Sequence, residues 1–121
     1  MKRIYLVLAL FFYTCIVVAG GPYKRVNPAD YIEQYKNSAL KEMFRHGIPA
    51  SIILGQGMVE SDCGNSNLAQ NANNHFGLKC HKEWRGSTFN YDDDQEDECF
   101  RKYGHPLESY EDHSVFIKSR K

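Results

Sequence analysis

The chain has 121 residues, with 15 Lys and Arg balanced by 15 Asp and Glu. That length supports one small domain with a modest core. The even charge offers no basic surface for nucleic acid, so no nucleic-acid partner is expected.

The first twenty residues differ from the rest. Lys2 and Arg3 precede an apolar run from Ile4 to Ala19, broken by Thr14, and Ala19, Gly20 and Gly21 supply small residues for cleavage. Residues 1–20 are expected to be a signal peptide, which places the mature protein in the periplasm, the cell envelope or outside the cell. The run approaches the ~18 residues that can span a bilayer, so an uncleaved N-terminal anchor is the alternative. Membrane contact is expected only in that case. Without residues 1–20 the balance becomes 13 basic against 15 acidic residues, a net charge of −2. Cys63, Cys80 and Cys99 remain, and an odd number in an oxidising compartment implies one bridge and one spare thiol.

Residues 21–26 read as a linker and 27–121 as the domain. Asn27 and Pro28 form a cap and a first helical position. Ile32, Tyr35, Ala39, Leu40 and Met43 follow at helical spacing, and Gly47 ends the run. Pro49 then opens a second helix, so the two make a tight hairpin. In this second helix Ile52, Ile53, Leu54, Met58 and Val59 wrap almost all the way round, which predicts burial on most sides. Glu60 closes it, one turn beyond Gln56 on the same face. The negative helix end and partial burial both favour the protonated carboxyl, a group prepared to act as a general acid.

Ser61 to Ser66 are turn and cap formers, and Leu68 to Asn71 can make one more helical turn. Ser87 to Tyr91 and Cys99 to Tyr103 read as two short strands with the acidic run DDDQEDE between them. That run lacks the glycine and ligand order of a calcium loop. His75, Cys80, His81 and Cys99 match no common zinc spacing. No metal or other cofactor is therefore expected. His105 and Pro106 open a last helix bearing Leu107, Tyr110 and Ile117.

Three stretches, PASIILGQGMVESDCGNSNLA, NNHFGLKCHKEWRGSTF and CFRKYGHPLESYEDHSVFI, resemble successive blocks of the bacterial glucosaminidases of glycoside hydrolase family 73. The resemblance covers about residues 29–118. It implies an α+β, mainly α, lysozyme-like fold in which a small β-hairpin walls a glycan cleft. It also implies hydrolysis of the β-1,4 bond after N-acetylglucosamine in peptidoglycan, by a monomer acting on glycan strands. A muramidase or lytic transglycosylase on the same fold, or an inactive glycan-binding remnant, are the alternatives. Glu60 in GMVES matches the family's catalytic acid. The family draws its second acid from the hairpin, and the alignment of that strand favours Asp92, with Asp94 next. Asn74 and Phe76 match the block at the cleft floor, and Trp84 and Tyr91 are candidates for stacking on a sugar ring. Cys80 and Cys99 are the expected disulfide, leaving Cys63 free where relatives carry a small residue. Relatives also continue past the helix holding Ser109 to Ile117. The domain is therefore expected to be short at its C-terminus, with an apolar groove beside the second helix and weak activity.

Overall fold

The computed structural model describes residues 21–120, so the expected signal segment 1–20 lies outside the described residues. Four helices and one two-stranded antiparallel sheet make up the domain, in the order α1 Pro28–His46, α2 Ala50–Ser61, α3 Asn67–Ala72, β1 Thr88–Tyr91, β2 Glu98–Arg101 and α4 Pro106–Lys118. This is the mainly helical arrangement with a small hairpin that the sequence implies. No helix among the described residues is long and apolar enough to cross a membrane.

Local chemistry sets the boundaries. The Asn27 side chain accepts from the Asp30 N–H at 2.9 Å, Pro28 fills the first turn, and Gly47 at φ 71° returns its N–H to Met43 at 2.8 Å. The buried stripe of α1 runs through Tyr31, Tyr35, Ala39 and Glu42, while Ile32 and Leu40 are exposed. It is rotated by one residue from the apolar spacing. The Tyr31 hydroxyl finds partners inside, and ring area outweighs aliphatic character.

Around α2 the expected burial on most sides does not hold. Ile53, Gly57 and Ser61 are buried, but Ile52 is 52% and Val59 80% exposed. Only one side of α2 is packed, against the Tyr31, Tyr35, Phe76 and Tyr110 core. The other side is the apolar groove expected beside this helix, lined by Ile52, Gly55, Gln56 and Val59. The helix stops in three consecutive left-handed residues, Asp62, Cys63 and Gly64. Ser61 locks that stop, donating to Gly57 O at 2.5 Å and accepting from the Gly64 N–H at 2.8 Å.

In the sheet, Phe89 pairs with Phe100 and Asn90 with Cys99. The second strand ends at Arg101, two residues earlier than its apolar pattern suggests. Beyond it the Lys102 N–H turns to Ser87 O and the Tyr103 N–H to Ala72 O, both at 2.9 Å. Lys79 bridges to Phe100 from the strand's other edge, with the Arg101 N–H bonded to Leu78 O and the Cys80 N–H to Cys99 O. Cys80 and Cys99 are joined by a disulfide with Cα atoms 5.5 Å apart, and Cys63 is free. The bridge pins the segment after α3 to the hairpin. On α4, capped by His105, Ser109, Tyr110, His113 and Ser114 face inward, and Leu107 is exposed.

Candidate active site

Glu60 stands on the last turn of α2, held there by the Ser61 lock and by Asp62, whose N–H returns to Val59 O. The backbone at this point is fixed while the carboxylate is exposed. It has no hydrogen bond or ion pair among the described residues. The partial burial read from the sequence is absent, because among the described residues no element covers the side of α2 that carries Gln56, Val59 and Glu60.

Three contiguous hollows meet at this carboxylate. One, of about 350 Å³, is walled by Gln56, Phe76, Gly77, His113, Phe116 and Ile117, among others. A second, of about 330 Å³, runs toward the hairpin past Leu68, Gly77, Lys79, Tyr91, Asp93, Asp94 and Phe100. The third is the apolar groove along Ile52 and Val59. Gly77, at φ 64° in a conformation that favours glycine, lacks the Cβ that would stand 3.9 Å from the Glu60 carboxylate.

The loop that supplies this wall is built around Asn74, which is 1% exposed. Its amide donates to Leu78 O and Arg101 O, both at 2.9 Å, and accepts from the Leu78 N–H at 3.0 Å. Asn74, expected among the substrate-binding residues, spends its amide on this backbone and shapes the turn that presents Phe76 and Gly77. Phe76 does line the first hollow, stacked on His113 at 3.9 Å and meeting Tyr110 edge-on at 4.8 Å. Tyr91 lines the second hollow. Trp84 is not among the residues of either. Its indole N–H donates to Ser87 O at 2.8 Å, its ring meets Tyr103 edge-on at 5.6 Å, and the Arg101 guanidinium lies 5.0 Å from its centroid. Packing at the base of the hairpin has claimed it.

The hairpin acids divide in the same way. Asp92 is taken up by the turn, its carboxylate accepting from the Asp97 N–H at 2.8 Å. Asp93 and Asp94 instead line the hollow shared with Glu60, so of the two expected acids Asp94 is the one on its wall. Lys79 lines the same hollow, bound to Glu98 at 2.8 Å, and that hydrogen bond pushes its pKa up.

Beneath the site lies a buried polar chain. The Tyr31 hydroxyl is 2.8 Å from His75 Nδ1 and 2.7 Å from the Tyr110 hydroxyl. Burial pushes the His75 imidazole down to about 4 and the Tyr31 phenol up to about 12. Sequence reasoning did not single out His113 or Lys79 for the site, and it ranked Asp92 and Asp94 ahead of Asp93 among the hairpin acids. Only His113 left a signal, a polar residue on the inward stripe between Tyr110 and Ile117.

Residues 36–121 match the glucosaminidase family model, described as mannosyl-glycoprotein endo-beta-N-acetylglucosaminidase. The chain is 39% identical over 80 residues to the exo-glucosaminidase LytG of Bacillus subtilis (strain 168), an overlap spanning 60% of this chain and 28% of that protein. The glycoside hydrolase domain of Salmonella typhimurium FlgJ shares the fold with a TM-score of 0.68 at 24% identity, over 78% of this chain and 62% of that one. The peptidoglycan hydrolase from Sphingomonas sp. A1 does so with a TM-score of 0.67 at 22% identity, over 75% and 61% respectively. With a family match running from residue 36 to 121, well over half its length, this chain belongs to the glucosaminidase family of glycoside hydrolases.

Proposed function

We propose that the domain hydrolyses β-1,4 bonds after N-acetylglucosamine in peptidoglycan, with Glu60 as general acid. One observation carries the reading: a carboxylate with no partner among the described residues, on a locked helix end, that lines three adjoining hollows. Adjoining hollows at one carboxylate suit a glycan strand bound across it, and hence cleavage within the glycan. A seated strand displaces water from Glu60 and supplies the desolvation that the free protein lacks. The glycosidic oxygen takes the Glu60 proton as the bond breaks, while positive charge grows on the sugar ring. In this reading Asp94, which lines a hollow shared with Glu60, is the second carboxylate that faces that charge or a water, and the substrate's own 2-acetamido group is an alternative nucleophile. Residues 1–20 act as the export signal in this reading. The Cys80–Cys99 disulfide fits an oxidising compartment outside the cytoplasm.

The test is identification of the new reducing end after digestion of purified cell walls by the oxidised protein. N-acetylglucosamine is the expected end. N-acetylmuramic acid, its anhydro form, or no new end at all would overturn the proposal.

A further inference from the structure

His113 is a buried polar side chain in the wall of the same hollow as Glu60, and the scheme above gives it no task. It is 7% exposed and lies flat on Phe76, with 13° between the ring planes. Its Nδ1 is sealed from solvent with no hydrogen-bond partner, and Nε2 has none among the described residues. Burial pushes the imidazole down to about 4, against the opposing pull of Asp112, so the ring is neutral near pH 7 and carries one N–H. Orphaned buried N–H groups are rarer than orphaned acceptors. The proton therefore belongs on Nε2, the nitrogen left to meet a ligand. The hollow it lines has Phe76, Leu78, Phe116 and Ile117 as its apolar wall, with Gln56, Glu60, Lys79 and His81 as its polar part.

A neutral donor in an apolar wall matches a neutral acceptor carried beside a methyl group. A sugar hydroxyl lacks the methyl. A carboxylate would be desolvated with no charge opposite it, since the Lys79 ammonium is already bound to Glu98. We propose that His113 is a specificity-determining residue that donates from Nε2 to the carbonyl oxygen of the substrate's 2-acetamido group, whose methyl packs on Phe76 and Ile117. The assignment rests on the reading of the Glu60 hollow as a glycan site.

The experiment compares kcat/KM on cell-wall glycan before and after chemical de-N-acetylation, for the wild type, His113→Phe and His113→Gln. Phenylalanine keeps the stacked ring without the donor, and glutamine keeps an N–H donor. The wild type is expected to favour the acetylated glycan. His113→Phe should lose roughly ten- to hundredfold on that substrate and little on the other, with partial recovery in His113→Gln. Equal losses on both substrates, or an unchanged preference, would overturn the proposal in favour of simple packing. Calorimetric binding of N-acetylglucosamine and glucosamine oligomers to Glu60→Gln, with and without the His113 change, reads the same preference without turnover. Absence of hydrolysis in the wild type then counts against the catalytic reading, while loss of acetyl preference in that binding pair still supports His113.

Discussion

The hydroxyls of Tyr31 and Tyr110 lie 2.7 Å apart, directly beneath Gly57 of the central helix. A Cβ at Gly57 would stand 2.8 Å from one, 2.9 Å from the other and 3.3 Å from the Phe76 ring. The glycine thus lets α2 settle onto a polar pair that joins α1 to α4. Gly57→Ala must part the hydroxyls or lift the helix, and is expected to cost about 1–3 kcal/mol. Urea unfolding reads this directly. An unchanged midpoint would show that the tyrosines yield without loss.

The Cys80–Cys99 bridge closes a sequence separation of 19 residues. In the chain-entropy model such a loop contributes about 3 kcal/mol, a large share for so small a core. The Cys80→Ala, Cys99→Ala double variant should fall in stability by roughly that amount. Reduction of the native protein should match it. Equal midpoints for oxidised and reduced protein would place the stabilisation elsewhere.

Acid should weaken the fold through two imidazoles. His75 and His113 are held neutral down to about 4 by burial, whereas unfolded histidine takes its proton near 6.5. Between those values the unfolded chain binds more protons, so stability falls as pH falls through this window and is fully present above it. Each ring is expected to contribute on the order of 2–3 kcal/mol to that slope. His113→Phe should flatten the pH dependence of Tm between pH 6.5 and 4 by about half. A flat wild-type profile in that range would contradict neutral burial.

The division of the hairpin acids gives a kinetic expectation. Asp94→Asn, which alters the wall facing Glu60, should lower kcat more than Asp92→Asn, which loosens the turn. Asp92→Asn is expected to show mainly in Tm. The reverse order would return the second-acid role to Asp92.

Much of the frame was legible because local chemistry decides it. Asn27 with Pro28 and Gly47 bound α1, and three turn residues after Ser61 stop α2 and leave Glu60 at its end. The disulfide pair was legible from the separation of three cysteines and the hairpin between two of them. What periodicity missed depends on distant partners. Tyr31 displaces Ile32 from the interior because its hydroxyl meets His75 and Tyr110, 44 and 79 residues away. Asn74 is structural because Leu78 and Arg101 converge on its amide, and Trp84 is occupied by Arg101 and Tyr103. Ile52 and Val59 are exposed because α2 packs only one side on the Tyr31, Tyr35, Phe76 and Tyr110 core, a choice that apolar residues all round the helix do not announce.

The central claim rests on one carboxyl. Glu60 is exposed and unpartnered among the described residues, so Glu60→Gln removes a proton donor and nothing that holds the fold. The decisive measurement is the turnover of purified cell walls by Glu60→Gln against the wild type, with Tm recorded for both. Loss of a hundredfold or more at an unchanged Tm is the expected result, the scale of a missing general acid. Wild-type turnover in the variant would contradict the account.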